Sequence, residues 1–125
     1  MGQKYLIDTN VLIDVQMNHL PEKGLHFMVE IIDKDFTISF ITYIEFLGYT
    51  NVTKETSDFI ALANMIEINK DIINACINLR RTKNIKLPDA IIAATAIVYD
   101  LTLITRNTDD FKNILGIKLI NPWRI

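Results

Sequence analysis

The sequence is poor in the features that mark several large classes of protein. Cys76 is its one cysteine, so an internal disulfide cannot form and a reducing compartment is expected. No apolar run approaches the roughly 20 residues that a membrane-spanning helix needs, and the N-terminus lacks the layout of a secretory signal. Glycine and proline number 4 and 3 and form no linker or repeat. We therefore expect a single cytoplasmic domain over residues 1–125, with no membrane contact.

The sequence also lacks a strong excess of charge of one sign. Its formal net charge is −2, which does not by itself indicate a partner with many phosphates. The basic residues are unevenly placed, since Arg80, Arg81, Lys83 and Lys86 fall in one short stretch. Such a stretch is typical of the solvated end of a helix, and it is also suited to binding phosphates. Half of the residues are apolar (50%), so the chain can bury a core, and surplus apolar surface would suit a subunit interface.

Apolar periodicity predicts strands and helices in regular alternation. Strands are expected at residues 5–7, 36–40, 65–68, 101–105 and 118–120. Helices are expected from residue 11, over 21–32, from Thr42, and over 54–63, 71–82, 89–99 and 111–115. This order predicts the α/β class, as a three-layer α/β/α sandwich around a central parallel sheet.

Acidic and amide side chains recur at corresponding places in this order. Asp8 follows the first strand, Asn107 and Asp110 follow the fourth, and Glu45 and Asp89 lie in helices. Ligands of open parallel sheets bind at the carboxyl ends of the strands, so these side chains are expected to converge there.

Each of these residues also has a purely structural explanation. Asp8 is suited to cap the first helix, and Thr42 with Glu45 matches a capping box. Asp89 follows a proline in a first helical turn, where a negative charge complements the helix dipole. As a set, however, they place several carboxylates in apolar surroundings with Arg106 as the nearest cation. A divalent metal with hard oxygen ligands, Mg²⁺ or Mn²⁺, would satisfy them together and would suit phosphodiester hydrolysis by water.

Four segments in order resemble the motifs of the PIN-domain nucleases. They are residues 5–14 (YLIDTNVLID), 42–47 (TYIEFL), 87–96 (LPDAIIAATA) and 103–107 (LITRN) with the following Asp110-Phe111. The order and spacing match from end to end, so the resemblance covers essentially the whole chain. Compact members of this length resemble the VapC toxins of bacterial and archaeal toxin–antitoxin pairs.

The resemblance implies Mg²⁺- or Mn²⁺-dependent cleavage of RNA, a homodimer, and inhibition by a small antitoxin that binds beside the active site. It implies catalytic metal ligands and supporting residues at positions that match the motifs: Asp8, Glu45 and Asp89 as ligands, with Thr9, Asn10 and Thr105 in support. Many members have an acidic residue where this chain has Asn107, so either Asn107 or Asp110 is expected as the fourth ligand. Arg106, Arg80 and Arg81 are candidate contacts to RNA phosphates.

Three alternatives remain at this point. A phosphatase of the haloacid-dehalogenase type would want a second aspartate where the chain has Asn10. A Mg²⁺-binding receiver-like module would need paired acids after the first strand and a lysine near Arg106. A PIN scaffold without catalysis, binding only RNA or protein, is favoured by Asn107 and disfavoured by the intact acids.

Overall fold

A computed structural model describes residues 3–49 and 51–125 of the chain. Its strands are β1 (Tyr5–Ile7), β2 (Thr37–Ser39), β3 (Asn64–Ile66), β4 (Thr102–Ile104) and β5 (Lys118–Ile120). Its helices are α1 (Thr9–Gln16), α2 (Glu22–Asp35), α3 (Phe40–Leu47), α4 (Lys54–Ala61), α5 (Lys70–Thr82) and α6 (Leu87–Val98). Short 3₁₀ turns follow at Thr108–Asp110 and Pro122–Arg124.

All strand pairs run parallel, in the orders β1-β4-β5 and β2-β3. Tyr5 pairs with Thr102 and Ile7 with Ile104, so β1 and β4 end at the same level. β1 also lies against β2, which brings the two sets of strands together. The residues that follow β1, β2 and β4 therefore leave the sheet at one edge, where ligands of parallel sheets bind.

The core consists of two apolar clusters, one on each face of the central strands. Leu6 of β1 and Leu103 of β4 belong to the cluster that includes residues of α5 and α6. Their neighbours Ile7 and Ile104 belong to the other cluster, with residues of α1, α2 and α3. Successive side chains of a strand point to opposite faces, so this alternation places helices on both sides of the sheet. The predicted α/β/α sandwich is confirmed.

Several predicted elements differ from the structure by one to three residues at their ends, and two helices differ in ways that concern the site. The helix predicted from Thr42 begins at Phe40, because Ser39 caps it by accepting a hydrogen bond from the Ile41 amide (3.2 Å). Thr42 is therefore a fully buried residue inside α3, and its capping box with Glu45 does not form. The helix predicted at residues 111–115 is replaced by the 3₁₀ turn Thr108–Asp110 and the turns that follow it.

The C-terminal 3₁₀ turn packs against α2. A Cβ atom at Gly24 would collide with the carbonyl oxygen of Pro122, so glycine is required for this close approach. None of the described helices is both long and apolar enough to cross a membrane.

Candidate active site

Asp8 stands where β1 ends and α1 begins, with 5% of its surface exposed. Its Oδ1 accepts a hydrogen bond from the Thr9 amide at 2.8 Å, so the side chain caps α1 as expected. Its Oδ2 accepts the Thr105 hydroxyl at 2.8 Å and the Asn10 amide group at 3.3 Å. The cap uses only one oxygen, and residues of α1 and of the segment after β4 fix the other.

Glu45 is tied to the same place through Thr9. The Thr9 hydroxyl donates to Glu45 Oε1 at 2.7 Å and lies 3.2 Å from the hydroxyl of the buried Thr42. A hydroxyl carries a single proton, and the charge-assisted bond to the carboxylate is the stronger use of it. Thr9 therefore holds a carboxylate of α3 next to the start of α1.

Asp89 completes the acidic group from the first turn of α6. Its half-buried position raises the pKa of its carboxyl group, and repulsion from Asp110 and Glu45 adds to the effect. The Lys86 ammonium lowers the same pKa but does not outweigh these causes. The charge of Asp89 is thus repelled by one carboxylate of α3 and by one of the 3₁₀ turn after β4.

The pKa of Asp8 is raised further, to about 6, mainly because burial disfavours its charge. Hydrogen bonds from Thr105 and Thr9 oppose this rise, and repulsion from Asp89 and Glu45 adds to it. Glu45 and Asp89 therefore both lie near enough to Asp8 for their charges to act on it.

The chemistry of this group fits a hard divalent cation. Its donors are all oxygens, the ligands that such cations prefer. Within residues 3–49 and 51–125, however, no three His, Cys, Asp or Glu side chains lie close enough to hold a metal ion as they stand. Binding would have to draw the carboxylates together.

The side chain of Arg106 forms an ion pair with Asp14. Its Nη1 donates to Asp14 Oδ1 at 3.2 Å, while its backbone amide donates to Asn10 Oδ1 at 3.1 Å. Sequence analysis missed Asp14, although an acidic residue among the apolar residues of α1, four positions after Asn10, was a visible signal. Asn107 is exposed, and its backbone amide donates to Thr105 Oγ1 at 3.1 Å.

A groove of about 410 Å³ adjoins Asp89 on the side of the loop between α5 and α6. Its lining is mostly basic, acidic and amide side chains, with two isoleucines: Lys83, Asn84, Ile85, Lys86, Asp89, Asp109, Asp110, Asn113 and Ile114. Arg80 and Arg81 do not line it. The Arg80 guanidinium instead donates to the Ile85 carbonyl oxygen at 2.7 Å, which supports the loop that carries the two lysines.

Comparison with known proteins agrees with the resemblance seen in the motifs. The model of the PIN domain family matches residues 5–116. A toxin–antitoxin complex from Klebsiella pneumoniae contains a chain 38% identical to this one, with a TM-score of 0.76 and coverage of 98% of this chain and 100% of that chain. No curated protein is a significant match.

Two more distant structures share the fold. VapBC2 from Rickettsia felis, bound to a DNA fragment from its promoter, is 22% identical, with a TM-score of 0.77 and coverage of 95% of this chain and 98% of that chain. FitAcB from Neisseria gonorrhoeae is 24% identical, with a TM-score of 0.74 and coverage of 97% and 99%. The family match over residues 5–116 and the 38% identical chain from Klebsiella pneumoniae show that the chain belongs to the PIN-domain family of nucleases.

Proposed function

We propose that the chain is a Mg²⁺- or Mn²⁺-dependent endoribonuclease, and that it is the toxin of a VapBC-type toxin–antitoxin pair. One observation supports the proposal most strongly: Thr9 hydrogen-bonds both Asp8 and Glu45, and repulsion from Glu45 and Asp89 adds to the raised pKa of Asp8. Carboxylates with perturbed pKa values near one another are candidates for a functional site. The whole of residues 1–125 is assigned to this one nuclease domain.

In this proposal Asp8, Glu45 and Asp89 hold the cation, and Asn107 or Asp110 adds a further oxygen. When bound, the cation activates water and neutralises charge on the phosphodiester. Three neighbours of these ligands, Thr9, Asn10 and Thr105, orient the carboxylates through the hydrogen bonds already described.

The groove beside Asp89 is the proposed path of the RNA backbone. Lys83 and Lys86 line it together with carboxylates, so a phosphate can bind the ammonium groups next to the proposed metal ligands. Arg81 is exposed in the last turn of α5, just before these lysines, and is proposed to contact the RNA outside the groove. Arg80 contributes by holding the loop through Ile85. Arg106 would contact an RNA phosphate only if its guanidinium dissociated from Asp14.

A second, mostly apolar groove of about 380 Å³ is the proposed site of the antitoxin. It lies between the end of α1 and the segment after α3, and exposed Met17, Tyr49 and Val52 line it. Exposed apolar side chains in a groove suit an amphipathic segment of a partner protein. The Klebsiella pneumoniae relative is a toxin–antitoxin complex, which supports a partner of this kind. A cytoplasmic location accords with the lone cysteine.

A catalytically inactive scaffold is the second candidate. It is favoured by the spacing of the described acidic side chains, which does not form a ready metal site. In that case the same fold would bind RNA or protein without cutting it.

Cleavage of RNA by the purified protein discriminates between these candidates. Wild type, Asp8→Asn and Asp89→Asn are compared in Mn²⁺, in Mg²⁺ and with EDTA, on single-stranded RNA and on DNA of the same sequence. Asp58→Asn is the matched control, because it removes a carboxylate from the exposed Lys54–Asp58 pair on α4. Metal-dependent cutting of RNA that only the two site variants lose would support the nuclease. RNA binding without cutting by folded wild type would favour the scaffold.

A further inference from the structure

Asp14 is an almost completely buried carboxylate outside the acidic group, with 1% of its surface exposed. Its Oδ1 accepts the Arg106 guanidinium at 3.2 Å, and its Oδ2 accepts the Trp123 indole N–H at 2.8 Å. His19 Nδ1 lies 3.8 Å from Oδ1 at the end of α1. A buried carboxylate is costly unless it is paired and hydrogen-bonded, and here both oxygens are used. The two main partners lie 92 and 109 residues away along the chain.

Helix α1 holds Arg106 at two points. Asn10 and Asp14 are four residues apart, so they lie on the same face of α1. Asn10 accepts the backbone amide of Arg106, and Asp14 accepts its guanidinium. Asn121 adds a third contact by donating to the Arg106 carbonyl oxygen at 3.4 Å. The main chain and side chain of Arg106 are therefore both fixed relative to α1.

The neighbours of Arg106 on either side belong to the proposed active site. Thr105 donates to Asp8 Oδ2 through its hydroxyl, and Asn107 donates to that hydroxyl through its backbone amide. A displacement of Arg106 would move both residues relative to Asp8. The ion pair also engages the guanidinium of Arg106 with Asp14.

We infer that Asp14 is a positioning residue of the active site. By holding Arg106, it fixes the Thr105 hydroxyl and Asn107 against Asp8, and through them it sets the affinity for the divalent cation. The last step rests on the proposed function, whereas the fixation of residues 105–107 does not. Partners that orient metal ligands commonly change metal affinity or activity by about 10- to 100-fold when they are removed.

The test uses the full chain with Asp14→Asn, Arg106→Gln and the double variant. Asp100→Asn is the matched control, because it removes a carboxylate and its ion pair with Lys118 from the opposite end of β4. Trp123 is the single tryptophan, so its fluorescence reports directly on the Asp14 cluster. Amide hydrogen exchange reports on the Arg106 and Asn107 amides, Mn²⁺ calorimetry on the metal site, and steady-state cleavage on kcat and KM.

We expect Asp14→Asn to change Trp123 emission and to speed exchange of both amides by about tenfold or more. Mn²⁺ affinity and kcat should fall by about 10- to 100-fold, while KM for RNA and its salt dependence stay as in wild type. The double variant should resemble the single ones, because all three break the same pair.

Exchange and Mn²⁺ affinity in Asp14→Asn that match Asp100→Asn would overturn the inference. So would a raised KM and a shallower salt dependence in Arg106→Gln, since they would identify Arg106 as a phosphate ligand. Where Asp14→Asn fails to fold, Trp123→Phe removes the indole bond to Asp14 together with part of the ring, and it should give a smaller change of the same kind in amide exchange and Mn²⁺ affinity. Wild type that neither binds Mn²⁺ nor cuts RNA would refute the proposed function and the metal step, while the exchange data would still decide whether Asp14 fixes residues 105–107.

Discussion

At the scale of the residue, the site depends on carboxylates held where their charge is unfavourable. Asp8 is buried and caps α1 with one oxygen, and it is repelled by the charges of Asp89 and Glu45. A helix cap alone would be satisfied by Asn or Ser at this position. The raised pKa therefore identifies a cost that folding alone does not require, and a bound cation would remove it.

The first prediction concerns the stability of the metal-free protein as a function of pH. Because the folded-state pKa of Asp8 is about 6 against an ordinary value of 3.8, the folded protein binds more protons than the unfolded chain between these values. The contribution of Asp8 to the free energy of unfolding is therefore fully present below about pH 4 and is lost as the pH rises through 6. The difference between 3.8 and about 6 corresponds to about 3 kcal/mol as an upper bound.

Urea denaturation from pH 4 to 7.5 in EDTA measures this effect. Asp8→Asn should lose most of the decline and should be more stable than wild type at pH 7 without metal, since it lacks the buried charge of Asp8. Mn²⁺ should then stabilise wild type and not the variant, because ligand binding to the folded state alone raises stability. If the free energy of unfolding fell equally steeply with pH in wild type and Asp8→Asn, the pKa of Asp8 would not be raised as described.

At the scale of the element, the sequence predicts what depends on local pattern and fails where a tertiary contact decides. The regular alternation of predicted strands and helices correctly indicated a sheet covered by helices on both faces. The start of α3 was misplaced because Thr42 looks like a cap but lies buried against Thr9, whose hydroxyl is 33 residues away along the chain. No local pattern reveals that contact.

The second prediction concerns the packing of the C-terminal turn on α2. Gly24→Ala gains about 1 kcal/mol of helix propensity, but the added methyl meets the Pro122 carbonyl oxygen. Overpacking of this kind costs about 1–3 kcal/mol, so we expect a net loss of stability and a change in Trp123 emission. Thermal unfolding and fluorescence are compared with Lys23→Ala, an exposed neighbour on the same helix. A variant more stable than wild type, with unchanged emission, would contradict the close contact.

At the scale of the whole molecule, the ordered motifs indicated the family and the converging acids, whereas the partners of Arg106 could not be predicted. The pair with Asp14 joins residues 92 positions apart, and the bond from Trp123 to Asp14 spans 109. Arg106 looks like a free cation beside the acids until the fold shows its partner. The location of Lys83 and Lys86 in the groove likewise depends on how α5 and α6 pack.

The third prediction concerns RNA binding by the whole groove. Lys83→Gln with Lys86→Gln should weaken RNA binding and make its salt dependence shallower, by about 0.7 in slope for each lost contact to a single strand. The control is Lys54→Gln, which removes an exposed ammonium from α4. Binding is measured by fluorescence anisotropy from low to high salt. Identical slopes in the groove variant and wild type would place the RNA elsewhere.

The fourth prediction concerns the proposed homodimer. Ile73 and Ile77 are exposed one turn apart on α5, so they form an apolar strip on its surface. We expect light scattering to give the mass of a dimer at micromolar concentration, and Ile73→Glu with Ile77→Glu to give a monomer. Leu115→Glu is the control, since Leu115 is 95% exposed outside the helices. A wild-type monomer would refute the dimer, and a dimeric α5 variant would move the interface to another surface.

The most direct test of the account is Mn²⁺ calorimetry on the full chain at pH 7, without RNA. We expect wild type and Asp58→Asn to bind Mn²⁺ alike, and Asp8→Asn and Asp89→Asn to lose binding by at least about tenfold while they remain folded. Binding of Mn²⁺ should release protons, and it should release more of them per bound ion when the experiment is repeated nearer pH 6. The reason is that the cation binds the ionised form of Asp8, which is partly protonated there. Equal binding by all four proteins, or no binding by folded wild type, would contradict a metal site built on these carboxylates.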